Sequence, residues 1–434
     1  MKRNLLLLIL SLPLYVLSAQ VYVPLDTANF SRRKELSKTY QTESKSFIRD
    51  FKESFSGPEK TYIKKQFEEH FKEFSTEIEH GDYVFDPRFD HLVDSIYKKL
   101  SGANDEIPKD LRFYISRNIS LNASSLGDKT FVINMGAFYF LDNDNELGAV
   151  IAHEIGHYML KHHIESMQRQ YKADKVDARS ALSTIRSERY NRGAMALERY
   201  KSMMYADQSM NRRQEREADS VGYIYYKKAG FKNTDYLNSY RLMALYDTIK
   251  EDGVKECTYR KIFNFKGLAF KDSWLKKEDF SGYDYSRYKS KFNEDSLKSH
   301  PETQQRIAYL KTLFPELNDS LAPTRPTHLF KVTEHIARME QVPSLDYNEN
   351  YGGGIYMCLL NLQDSISDSY YQRCMGHLFQ KIYDARKTYT LNRYLDRVEP
   401  KEQSPSYQQF LNFMWNLNLN ELKMIAEFYN VASK

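Results

Sequence analysis

Apolar positions recur with a helical period over most of this chain, and the interruptions mark its parts. Between Pro87 and Leu100 they fall at Phe89, Leu92, Val93, Ile96, Tyr97 and Leu100, the spacing of one buried helix face. Asp86 and Pro87 supply the cap and first-turn residue of that helix. Residues 20 to 80 are polar and helical in pattern, as in "EKTYIKKQFEEHFKEFSTEIEHG", until Gly81 stops them. Two short runs, "LRFYIS" at 111–116 and "KTFVINMG" at 129–136, read as strands, the second preceded by the turn residues "SSLGD". In "KTFVIN", Phe131 and Ile133 alternate with Thr130, Val132 and Asn134, which predicts a strand with one buried face.

Helix dominates after that. The pattern is strongly periodic from Asn143 to about His163, long and polar from Ile164 to Tyr205, and periodic again from about Ser209 to Ala229. Lys227, Lys228 and Gly230 mark the end of the last stretch, as cations and a left-handed residue suit a helix C-terminus. Residues 250–298 are rich in Lys, Asp, Tyr and Phe with weak periodicity and read as an insertion. "FPELNDSLAPTRP", with Pro315, Pro323 and Pro326, is the best boundary in the chain. Paired helices without an internal period follow to the C-terminus. The expected fold class is mainly α with a small β-sheet. Its expected parts are residues 20–80 (an N-terminal helical segment), 81–320 (a central domain carrying the insertion) and 321–434 (an all-α C-terminal domain).

Composition changes this picture at the ends and in the partners it excludes. Lys2 and Arg3 precede an apolar run from Leu5 to Leu17 and then "LSAQ". A span needs about 20 apolar residues, so residues 1–19 read as a secretory signal peptide cleaved after Ala19. No cysteine follows to anchor a lipid, and the expected location is periplasmic or secreted, with no transmembrane helix after cleavage. Losing Lys2 and Arg3 lowers the formal charge from +5 to +3, too mild to argue for nucleic acid. Cys257, Cys358 and Cys374 have no structural-zinc spacing, and a bridge between Cys358 and Cys374 is the one pairing considered.

The chemistry is concentrated in "VIAHEIGHYMLKHH", residues 150–163. His153 and His157 are four apart and share one helix face, so two imidazoles can hold one zinc. Glu154 between them can take a proton from water at the metal's open position. Leu147, Val150, Ile151, Ile155, Tyr158 and Met159 make an apolar face, and Gly148, Ala152 and Gly156 form a stripe of small residues that lets another helix approach. Candidates for the third ligand are His162, His163 and a distant carboxylate. Leu160 stands where a turning glycine would be needed to bring His163 back, and on a continuous helix His163 points about 120° away from His157, so His162 and His163 read as surface or supporting groups. The better candidate is Glu215 in "NRRQEREADSVGYIYYKKAG", with Asp219 one turn on to orient a histidine or stabilise developing charge, and Ala218 and Gly222 as small neighbours. Glu217 is expected to face elsewhere.

"ELGAVIAHEIGHYMLKHH", "NRRQEREADSVG" and "SHPETQQRI" together resemble the three motifs of zinc metallopeptidase family forty-eight, which includes HtpX-like, CAAX-prenyl and bacterial periplasmic endopeptidases. The resemblance covers roughly residues 81–315. It implies a gluzincin-type domain with a small sheet beside the active-site helix, one Zn2+ per chain held by His153, His157 and Glu215, Glu154 as general base, and Asp219 as proton donor or supporting group. His300, in a family-like H-P pair, has two readings: it reaches the metal's open side as oxyanion donor or latent ligand, or it is a capping or packing histidine. Departures concern substrate preference: Asn211 replaces the usual serine, "NASSLGDK" lacks the usual proline, and about forty extra residues separate Gly253 from His300.

The function expected on this basis is an exported zinc endopeptidase. Its partners are expected to be extended or unfolded polypeptides, such as misassembled envelope proteins, added as a strand to the free edge of "KTFVIN", with peripheral association with a membrane or its assembly machinery. The rival reading is a periplasmic chaperone or scaffold whose C-terminal helices bind clients and whose peptidase site is latent.

Overall fold

A computed structural model describes residues 22–25, 29–50, 56–173, 192–247, 253–277, 303–318, 322–365, 368–399 and 403–432. It begins with an antiparallel helix pair, α1 (Phe30–Asp50) and α2 (Gly57–His80). Helix α2 buries Ile63, Phe67, Phe71, Phe74 and Ile78 along one stripe, and Gly81 ends it at φ 102 with its N–H on the carbonyl of Glu77. Tyr40 of α1 packs against Phe71 and Phe74 and donates its hydroxyl to Asp128. The helix pair thereby covers one face of the sheet. Strand β1 (Tyr83–Val84) follows, then α3 (Pro87–Ala103), whose N-terminus is capped by Asp86 accepting from the Arg88 N–H.

The sheet contains β1, β2 (Arg112–Ser116), β3 (Ala123–Ser125) and β4 (Thr130–Asn134), in the order β1-β2-β4-β3. Strands β2 and β4 are parallel, with Phe113 opposite Phe131, and the outer pairs are antiparallel. This corrects the expectation for "KTFVIN". Strand β4 has no free edge, because both its neighbours are in place. Nor is only one face buried: Phe131 and Ile133 join the central core while Val132 joins the core under α1 and α2. A strand covered on both faces belongs in the middle of a sheet, and the edge falls to β3.

Helix α4 (Met135–Phe140) leads into α5 (Asp144–Met159), which carries the paired histidines. Asn143 caps α5 by accepting from the N–H groups of Asn145 and Glu146, and Glu146 reaches back to accept from Asp142 N–H at 2.6 Å. This reciprocal cap fixes where the first turn starts. Periodicity predicted helix as far as His163. Instead α5 ends at Met159, Lys161 adopts φ 58 and ψ 31, and a new helix, α6 (His162–Tyr171), begins at an angle. Helix α7 (Arg192–Lys228) is one continuous element where the sequence suggested two, and the residues expected to lead into it, 174–191, lie outside the described set. Gly230 follows α7 at φ 71, as its C-terminal pattern predicted. Helix α8 (Asn233–Asp247) then folds back against α5.

Residues 253–277 contain α9 (Glu256–Ile262) and place Tyr259, Phe263 and Trp274 in the core of the C-terminal helices. The described part of the expected insertion is thus packed structure. Helix α10 (Thr303–Leu313) returns to the central core through Ile307 and Leu310. The remaining helices are α11 (His328–Tyr347), α12 (Tyr351–Asp364), α13 (Ser369–Lys387), α14 (Pro405–Asn416) and α15 (Leu419–Ala432). Helix α11 is shared: Phe330, Ile336 and Ala337 face the central core, while Met339, Val342 and Leu345 line or adjoin the C-terminal one. Its buried Glu340 accepts from the Tyr22 hydroxyl and the Leu25 N–H, each at 2.7 Å.

The pairing that the sequence left open, Cys358 with Cys374, is not formed. Cys257, Cys358 and Cys374 are all free thiols, and burial raises both Cys358 and Cys374 above the ordinary thiol range. Among the described residues no helix is long and apolar enough to cross a membrane.

Candidate metal centre

Helices α5 and α7 meet over glycine. A methyl group on Gly222 would lie 2.9 Å from His153 Cα, and one on Gly156 would lie 2.9 Å from the carbonyl oxygen of Ala218. At this backbone separation side chains on the facing turns of the two helices reach one point. His153 and His157 bring their Nε2 atoms to 3.0 Å, with Glu215 Oε2 3.6 Å from the first and Oε1 3.5 Å from the second. The potential ligand atoms of these three residues lie within 4.8 Å of one another, and they are the one such group among the described residues. They are the three residues that the sequence patterns and the family resemblance together proposed as ligands.

The far sides of the histidines determine whether the group suits a metal. His153 Nδ1 sits 2.9 Å from Asp219 Oδ1, though too bent for a straight hydrogen bond. Asp219 is fully buried and accepts from Arg306 Nε at 2.9 Å, Arg306 Nη2 at 2.6 Å and the Tyr240 hydroxyl at 2.6 Å. Burial alone would raise its pKa, but Arg306 and His153 outweigh it and hold Asp219 down at about 2. An ionised Asp219 beside Nδ1 favours a His153 proton there, the tautomer that would free Nε2 for a metal. Two imidazole nitrogens and a carboxylate pointing at one another form a donor set that fits zinc.

Glu154 lines the cleft above this group. Burial, opposed by His157 and His153, raises its carboxyl above the ordinary range. The cleft has a volume of about 1190 Å³. Ala123 to Ser125 of the edge strand form one wall, and Met243 and Tyr246 of α8 form another.

Several participants escaped the sequence reading. Arg306 on α10 braces Asp219 and also puts Nη1 3.3 Å from Glu215 Oε2. Glu217 faces away from the three converging residues and onto His162, and His162, read as a surface or supporting group, approaches His157. Asn211, the departure from the usual serine, accepts from Arg169 of α6 at 2.7 Å and so ties α6 to α7. His163 packs beside Gly127 and Phe67, away from the three converging residues. His300 lies outside the described residues.

A helix carrying H-E-x-x-H, a carboxylate from a second helix and a small mixed sheet define a metallopeptidase. The chain belongs to peptidase family M48, whose profile matches residues 88–313. It is also similar to the beta-barrel assembly-enhancing protease of Yersinia pestis, at 24% identity over 34% of this chain and 31% of the relative. The protein of the same name from Escherichia coli strain K12 is 23% identical over 36% of this chain and 35% of the relative. A putative beta-barrel assembly-enhancing protease of Vibrio cholerae is 25% identical over 34% and 31%. The matched stretch thus spans about a third of these curated relatives.

Proposed function

We propose that the protein is an exported zinc-dependent endopeptidase that hydrolyses extended or unfolded polypeptides of the cell envelope. The observation that carries this reading is the convergence of His153, His157 and Glu215 beneath a cleft walled by the edge strand β3. His153, His157 and Glu215 would hold zinc, which would supply polarisation of the scissile carbonyl and a more acidic water. Glu154, in the cleft, is placed to take a proton from the attacking water and return it to the leaving amine. Asp219, enclosed by Arg306, Tyr240 and His153 and held ionised, serves in this reading to orient His153 rather than to donate a proton to substrate.

An edge strand reads main chain through hydrogen bonds, so a chain laid against Ala123–Ser125 is selected for being extended rather than for its sequence. This favours unfolded or misassembled clients, in keeping with the assembly role in the names of the relatives. His300 remains the candidate for the open side of the metal, and unchanged cleavage kinetics in His300→Ala would remove it from the mechanism.

The deciding experiment compares cleavage of an unstructured reporter by zinc-loaded protein and by Glu154→Gln. The expected result is cleavage lost in the variant with zinc retained. Cleavage by neither protein, with zinc bound in both, would instead support the chaperone or scaffold reading.

A further inference from the structure

We propose that His162 and Glu217 form a positioning relay for His157, fixing the tautomer and ring orientation with which His157 presents Nε2 to the metal. The inference rests on the zinc reading above. His157 Nδ1 and His162 Nδ1 are 2.9 Å apart, with the rings inclined at 74°. His162 Nε2 is 3.2 Å from Glu217 Oε2. His162 is 4% exposed, so solvent does not replace either contact.

Two nitrogens at 2.9 Å need one proton between them. Were a neutral His162 to carry it on Nδ1, its bare Nε2 would face the Glu217 carboxylate, and His157 would hold its own proton on Nε2, pointing at His153. With the proton on His157 Nδ1, both contacts of His162 are satisfied in one direction, and the two Nε2 lone pairs left 3.0 Å apart are the pair that a metal ion would take up. His157 Nδ1–H donates to His162 Nδ1, His162 Nε2–H donates to Glu217, and His157 Nε2 is left as a lone pair beside that of His153. Glu217 is itself held by Arg213, whose Nη1 donates to it at 2.6 Å and whose Nη2 donates to Glu165 of α6 at 3.0 Å. The ligand histidines are therefore oriented from two sides, His153 by Asp219 and His157 by an imidazole backed by a carboxylate.

The relay depends on the break between α5 and α6. On a continuous helix residue 162 would stand five positions after His157, about 140° around the axis, and could not meet its Nδ1. The left-handed Lys161 turns the chain so that the first residue of α6 faces back onto the end of α5.

The test is zinc affinity by chelator competition, together with the visible spectrum of the cobalt-substituted protein. His162→Leu keeps bulk but cannot accept a proton, while His162→Gln offers a carbonyl to His157 and an amide N–H to Glu217 without carrying charge. Expected is a roughly 10- to 100-fold loss of zinc affinity and an altered cobalt spectrum in His162→Leu, with His162→Gln within about threefold of the parent. Should His162→Leu fail to fold, Glu217→Leu, at a partly exposed position, is expected to lose affinity in the same sense. Unchanged affinity in the Leu variants, or a Gln variant as weak as His162→Leu, overturns the relay. His153→Ala separates the two levels. If the parent binds no zinc, the zinc reading falls with the relay; if only the His153 variant loses zinc, the relay alone falls.

Discussion

Arg306 closes on Asp219 through two nitrogens, Nε at 2.9 Å and Nη2 at 2.6 Å, with both side chains almost wholly out of water. Removing one partner of such a pair strands a buried charge and costs about 3–5 kcal/mol. Arg306→Met is therefore expected to lower the stability of the metal-free protein by that order, measured by denaturant unfolding in a chelator. A midpoint within error of the parent would show that Asp219 is held by Tyr240 and His153 alone. Because Asp219 is depressed to about 2, its contribution is present above the unfolded value of about 3.8 and is lost as pH falls through the folded one.

The closeness of α5 and α7 gives a second prediction. At Gly222 even a methyl group meets His153 Cα at 2.9 Å and the Ala152 carbonyl at 3.0 Å, and both are backbone atoms with nowhere to rotate. Gly222→Ala should cost about 1–3 kcal/mol and weaken zinc binding, because the helices must part and carry Glu215 away from the histidines. A destabilised protein with undiminished zinc affinity would show that the ligands tolerate the separation.

Lys161 tests the turn itself. A side chain in the left-handed region costs about 1–2 kcal/mol relative to the right-handed one, and glycine is exempt. Lys161→Gly is expected to leave stability level or raise it, and Lys161→Ile to lower it and to reduce zinc affinity through His162. The pair of thermal midpoints, read with chelator and with zinc, distinguishes the two effects.

Glu146, at the start of α5, is fully buried, and burial lifts its carboxyl to about 7 despite hydrogen bonds from Asn238 and the Asp142 amide. A folded value above the unfolded one of about 4.5 means that the fold favours the protonated group. That stability is fully present below pH 4.5 and is lost as pH rises through 7, on the order of 3 kcal/mol in all. Unfolding free energies measured from pH 4.5 to 8 should fall for the parent and fall less for Glu146→Gln. Equal slopes would place the titration elsewhere.

What could be read from the sequence was whatever local spacing determines. The i, i+4 pairs His153/His157 and Glu215/Asp219 fix shared helix faces, and Gly156, Ala218 and Gly222 announced a close helix crossing. What could not be read depends on partners far along the chain. The place of β4 follows from strands on both sides of it, and alternation along one strand does not reveal how many neighbours it has. Arg306 is 87 positions from the carboxylate it braces. The turn at Lys161 carries no glycine to signal it, so a periodic pattern ran on through the break and hid the approach of His162 to His157.

The shared helix α11 has a consequence for how this protein comes apart. Phe330, Ile336 and Ala337 are walls of the central core although they lie beyond the proline-rich boundary, and Glu340 on the same helix holds down Tyr22 and Leu25 near the other end of the chain. A fragment ending near residue 321 would leave a gap beneath the metal-bearing half and unfasten its leading strand of chain. Loosening begun in the C-terminal helices has a direct mechanical route to the metal-bearing half, so that part would share the fate of its neighbour rather than outlive it.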